Sequence, residues 1–118
     1  MITAVHTLIY SDDEDATRTF LRDVLQLPNV DAHDGWLIFK TGPSELGVHP
    51  SNPPGQTHHQ ISFMCDDLAA TMADLQARGV TFTGEVQQQG WGTTVMFAMP
   101  GAPDVLLYEP RHPTAYDL

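Results

Sequence analysis

The sequence predicts an α+β domain of two βαβββ modules whose eight strands form one curled mixed sheet, as half-barrels, with the helices outside. Three observations carry that prediction: an internal repeat, a change of apolar period within each half, and regularly spaced glycine and proline. Shifting the chain by 54 positions lays His6-Thr7-Leu8-Ile9-Tyr10-Ser11-Asp12-Asp13 on Gln60-Ile61-Ser62-Phe63-Met64-Cys65-Asp66-Asp67. Ala16, Thr17 and Leu21 then fall on Ala70, Thr71 and Leu75. Near the end of each half the shift becomes 60, and Pro43, Leu46 and Pro50 meet Pro103, Leu106 and Pro110. A Gly-Trp pair recurs at Gly35-Trp36 and Gly90-Trp91. Repeats of this length mark structural units that bury their apolar faces against one another.

Each half carries the elements in the same order. Residues 3–10, with Val5, Leu8 and Ile9, suit a strand covered on one face. Ser11-Asp12-Asp13-Glu14 has the pattern of a capping box, in which Ser11 and Glu14 satisfy free amides of a helix. Ala16, Phe20, Leu21, Val24 and Leu25 follow at helical spacing, giving a helix over 13–26 that stops at Leu27-Pro28-Asn29. Three short strands are expected near 28–32, 35–41 and 45–49. In the second half a strand at 59–65 leads to Asp66 or Asp67 as N-cap. A helix with Leu68, Ala69, Met72 and Leu75 follows and closes at Gly79. Further strands are expected near 80–87, 91–98 and 104–109. Consecutive prolines in 51–58 stop both helix and ladder, so that segment is a linker between module one (1–50) and module two (59–110). Residues 111–118 form a tail of irregular character, and all 118 residues make one domain.

Composition narrows the function classes. With 42% apolar and 17% charged residues the chain has the makings of a packed core and lacks the signature of disorder. The apolar runs are too short to cross a bilayer, and the N-terminus shows no secretory signal pattern. A formal charge of −10 repels nucleic acid and anionic membranes, favours cationic ligands and keeps the protein soluble. The one cysteine, Cys65, lies in an apolar stretch and reads as a buried, inert thiol, which suits a reducing cytoplasm.

Val5-His6-Thr7, the Asp-Asp pair after each first strand, His58-His59-Gln60-Ile61-Ser62-Phe63 and the close Leu107-Tyr108-Glu109-Pro110 together resemble the vicinal oxygen chelate superfamily of glyoxalases, extradiol dioxygenases and bleomycin-resistance proteins. The resemblance covers nearly the whole chain. It implies a cavity inside the curled sheet and a homodimer whose cavities draw on modules of both subunits. It also implies, for metal-dependent members, four ligands from symmetry-related strands. The matching positions here are His6, Gln60, Leu46 and Leu106. One imidazole, one amide and two aliphatic chains do not hold a catalytic divalent ion, so no metal or other cofactor is expected. The alternative is a shifted register that gathers His6, His59 and one of Glu45, His49 or Glu109 around a divalent metal. Strand alternation puts Glu45 and Glu109 on the face opposite Leu46 and Leu106. His33, His49, His58 and His112 fall in or beside loops, where histidine is ordinarily solvated.

Without a metal, His6 is the candidate general acid–base, or else simply a hydrogen-bonded strand histidine. Gln60 and Ser62 alternate onto its face as hydrogen-bonding partners for a ligand. Trp36, Trp91 and Tyr108 offer aromatic faces for a flat or cationic ligand, unless they serve core packing or a subunit interface. Leu46 and Leu106 complete the expected pocket. Three functions follow: a protein that binds and sequesters a drug or metabolite, a metal-dependent lyase, isomerase or dioxygenase, or a structural module without a small ligand.

Overall fold

The computed structural model describes residues 6–48, 51, 53–56 and 58–117. Its best-formed part is the second module, a four-stranded sheet. Strands β5 (Gly92–Met99) and β6 (Ala102–Pro110) form a long antiparallel hairpin, with Val95 opposite Leu107 and Thr94 opposite Tyr108. On its outer sides lie β3 (Ser62–Met64), parallel to β6, and β4 (Gln87–Gln89), antiparallel to β5. Alternation gives the hairpin two faces. Val95, Phe97, Met99, Val105 and Leu107 are buried towards the helices, while Thr94, Met96, Leu106 and Tyr108 belong to the other face.

Phe97 is the hub of the core and is 1% exposed. Phe20, Phe63 and Phe82 surround it at ring-centroid distances of 6.4, 6.3 and 6.2 Å. Leu68 and Leu75 come from α2 (Leu68–Ala77). Phe20 and Leu21 come from a five-residue π-helical turn, Phe20–Val24, that extends α1 (Glu14–Thr19). The first module's helix therefore packs on the second module's sheet. Hydrogen bonds fix it there: Thr17 Oγ1 donates to the Pro100 carbonyl at 2.6 Å, and the Asp12 amide donates to Gly101 O at 2.8 Å. Arg78, just past α2, donates from Nη1 to Val24 O.

The sequence repeat reappears in the helix starts. Asp13 accepts from the Ala16 amide and Asp67 from the Ala70 amide. The Thr71 hydroxyl donates to the Asp67 carbonyl at 2.7 Å, and the Thr17 hydroxyl lies 3.1 Å from the Asp13 carbonyl. The expected capping box is corrected in part: Asp13 is the cap, while Ser11 Oγ accepts from the Asp13 amide at 3.0 Å and also reaches Gly101 O and Thr17 Oγ1. Gly79, with φ of 91°, closes the second helix as expected. The single helix expected over 13–26 is an α-helix followed by the π turn, which sets Phe20 and Leu21 side by side in the core.

The first module is more open. Among the described residues its sheet consists of β1 (Asn29–Asp31) and β2 (Leu37–Phe39), an antiparallel pair turned at Gly35 with φ of 89°. Residues 6–10 and 44–48 are not strands, and the segment expected at 80–87 contributes a single bridge, Phe82 to Phe97, before β4 begins. Residues 3–5 and 49 of the expected strands lie outside the described residues. The fold is thus mixed α+β with two sheets and six strands among the described residues. No described helix is long and apolar enough to cross a membrane.

Candidate functional site

The face of the four-stranded sheet opposite the helices carries the candidate site. A shallow hollow of about 230 Å³ lies between β4 and the middle of the β5–β6 hairpin. Thr94, Met96 and Leu106 line it together with Trp91 and the carboxamides of Gln87 and Gln89, and Glu85 is its one charged residue. Such a lining offers an aromatic face, donors and acceptors, and an apolar base.

Trp91 stands edge-on to Tyr108, their ring centroids 5.3 Å apart. The approach depends on Gly92, where a Cβ would meet Glu109 O at 2.7 Å and the Tyr108 ring at 3.3 Å. Beyond Tyr108 is a polar group. The Tyr108 hydroxyl lies 3.4 Å from Glu45 Oε1 and 3.5 Å from His112 Nε2. His112 Nε2 is itself 3.6 Å from the same carboxylate oxygen. Both partners are oriented by backbone. Glu45 Oε2 accepts from the Ala115 amide at 2.8 Å, and His112 Nδ1 lies 2.8 Å from Pro113 O. A carbonyl only accepts, so Nδ1 carries a proton, and Nε2 is the ring atom that faces Tyr108 and Glu45. Burial first, then the charge of Glu45, pushes the Tyr108 phenol above its ordinary pKa.

Of the residues singled out in the sequence, Trp91 and Leu106 line the hollow, and Tyr108 borders it through Trp91. Ser62 pairs in register with Leu106. His6 and Gln60 are exposed and outside any strand. Trp36 is half exposed at the turn before β2, and the Leu46 side chain is 82% exposed. Glu45 and His112, expected on the opposite face and in solvent, instead meet at Tyr108. The alternation rule does not govern Glu45, because 44–48 is not a strand. His112 is drawn in because the Arg111 amide donates to Trp91 O at 2.8 Å, continuing the β5–β6 pairing past Pro110. The Glu109 carboxylate does lie on the helix side of β6, accepting from the Leu68 amide at 3.0 Å.

A family model for the Glyoxalase/Bleomycin resistance protein/Dioxygenase superfamily matches residues 3–111. The chain belongs to this superfamily. Solved structures with the same fold include TnmS3, an antibiotic binding protein from Streptomyces sp. CB03234, with 22% identity and a TM-score of 0.62 over 92% of this chain and 99% of that one. A lactoylglutathione lyase from Agrobacterium tumefaciens has 23% identity and a TM-score of 0.63, over 92% and 94% of the two chains. A superfamily member from Sphaerobacter thermophilus DSM 20745 has 25% identity and a TM-score of 0.61, over 92% and 98%. No functionally curated protein matches the chain significantly by sequence.

A metal centre at the positions implied by the superfamily resemblance does not fit this chain. His6 and Gln60 bring one imidazole and one amide, and Leu46 and Leu106 bring no donor at all. Among the described residues no three histidine, cysteine, aspartate or glutamate side chains cluster closely enough to hold an ion.

Proposed function

We propose that this superfamily member binds and sequesters a flat small molecule, neutral or cationic, on the sheet face beside Trp91, with no metal at the four positions named above. The observation that carries the reading is the Trp91–Tyr108 corner opening onto a hollow lined by Gln87, Gln89, Thr94, Met96 and Leu106. Aromatic faces hold flat or cationic groups by stacking and cation–π attraction, and carboxamides orient them without demanding a charge. Glu85 and the net charge of −10 favour a cation. The fold shared with an antibiotic binding protein is in keeping with this role.

The active unit in this reading is a homodimer in which a second copy covers the open first module and completes a curled, eight-stranded sheet of the vicinal oxygen chelate type. Leu8, Val30, Trp36, Leu46 and Val48 are exposed at 50–98%, an apolar surface that a partner would cover. His6, Trp36, Leu46 and Gln60 would join the ligand site only through such closure. The acidic chain and its lone, half-buried thiol suit a reducing cytoplasm. A metal-dependent lyase, isomerase or dioxygenase would instead need His6 at a metal centre.

Fluorescence titration with a planar cationic dye and its neutral isostere tests the proposal. Trp91→Ala should weaken binding by roughly 2- to 30-fold, the worth of one aromatic contact, and more than His6→Ala does. Unchanged affinity in Trp91→Ala would sink the proposal, as would a bound divalent ion that disappears in His6→Ala.

A further inference from the structure

Glu45, Tyr108 and His112 pose a geometric puzzle. Three groups that commonly hydrogen-bond converge, yet none comes closer than 3.4 Å. Hydroxyl hydrogen bonds ordinarily close to about 2.7–2.8 Å. The three separations of 3.4, 3.5 and 3.6 Å describe a nearly equilateral triangle of one carboxylate oxygen, one phenol oxygen and one imidazole nitrogen. A tetrahedral ion with ligand bonds of about 2.0–2.1 Å holds its donors about 3.3–3.4 Å apart. The triangle therefore has the size of one face of such a coordination shell.

We infer that Glu45 Oε1, Tyr108 Oη and His112 Nε2 form a binding site for a divalent transition-metal ion of the zinc type, displaced from the positions implied by the superfamily resemblance. A second observation supports the assignment independently of the spacing. Each charged or basic donor has its other polar atom fixed by backbone: the Ala115 amide holds Glu45 Oε2, and Pro113 O holds His112 Nδ1–H. Partners of that kind orient metal ligands and set the histidine tautomer. The donors are also sheltered without being sealed, since the Glu45 and His112 side chains are 16% and 32% exposed. Mixed nitrogen and oxygen donors, with no sulfur, suit zinc, cobalt or nickel better than a soft ion, and the imidazole disfavours magnesium and calcium. Three protein donors leave a coordination position for a ligand oxygen or water.

The ion would tie three distant segments together: the loop at 44–48, the end of β6 and the tail. It needs no organic ligand, so it stands or falls separately from the dye-binding proposal. Cobalt(II), titrated into the purified full-length protein, is the probe, with zinc as competitor. The expected result is one equivalent bound with the intense visible absorption of a four-coordinate ion, displaced by zinc and raising the melting temperature. Tyr108→Phe keeps the ring against Trp91 and should weaken cobalt binding at least about 10-fold and alter the spectrum. The double variant Glu45→Gln with His112→Gln should weaken it at least about 100-fold. Circular dichroism checks that both variants fold. The inference is overturned if wild type binds no cobalt, or if folded variants bind it with unchanged affinity and spectrum. Loss of the ion only in His58→Ala with His59→Ala would overturn it too, by placing the metal on the surface histidine pair.

Discussion

Cys65 is a single thiol whose surroundings decide its chemistry. Its sulfur lies 3.6 Å from the Tyr108 carbonyl and the residue is partly buried. Burial first, and then the charges of Glu109 and Asp66, push the thiol above its ordinary pKa, with the nearby Thr71 hydroxyl acting in the opposite direction. A raised value means less thiolate at any pH below it, and the thiolate is the nucleophile. Alkylation by iodoacetamide at pH 8 should therefore run severalfold slower than that of an unstructured cysteine peptide. The rate should climb only at a pH above the ordinary thiol range; equality at pH 8 would contradict it. The apolar neighbours of Cys65 pointed to a buried residue, and the structure shows it only partly buried. The meeting of Glu45, Tyr108 and His112 was not legible in the sequence, because it joins a loop, a strand end and a tail that no local periodicity links.

At the scale of elements, the two helix starts are copies of one another, and the turn between β5 and β6 is their counterpart in the sheet. Removing the cap in Asp67→Ala should cost about 1 kcal/mol, within the usual range for such caps. Gly101→Ala should cost more. Gly101 has φ of 75°, and a Cβ there would meet Ser11 Oγ at 2.6 Å and Asp13 O at 2.8 Å. Urea unfolding of both variants checks the order; a Gly101→Ala protein as stable as wild type would refute it. Four of the expected elements of the second module, around 62, 68, 92 and 102, stand within a few residues of where the apolar pattern put them. The strands expected at 6–10 and 45–48 do not form among the described residues. A period-two pattern reports a face that can be covered and says nothing about whether the covering comes from the same chain.

The whole molecule is wider than its length requires. Its radius of gyration is 15.1 Å, against roughly 13–14 Å for a compact domain of this size. A two-stranded hairpin is marginal on its own, and Val30 and Trp36 on this one are 65% and 50% exposed. Under the dimer proposal, sedimentation velocity at micromolar protein should give a single species of twice the chain mass. Trp36→Glu should shift it to monomer and lower the melting temperature, whereas Trp91→Glu should leave the mass unchanged. A wild-type monomer at that concentration would remove the homodimer from the proposed function.

The seat of Phe20 on Phe97 carries a consequence for the history of the repeat. The first half of the chain supplies part of the hydrophobic wall over the second half's sheet, so a half-length ancestor would have needed a second polypeptide to cover that ring. Fusion of two copies would have turned an encounter between molecules into a permanent neighbour. The loops would then be free to drift apart, while residues along the Phe20–Phe97 seam would have to change in concert. Covariation between the π-helical turn and β5 is the trace such a past would leave.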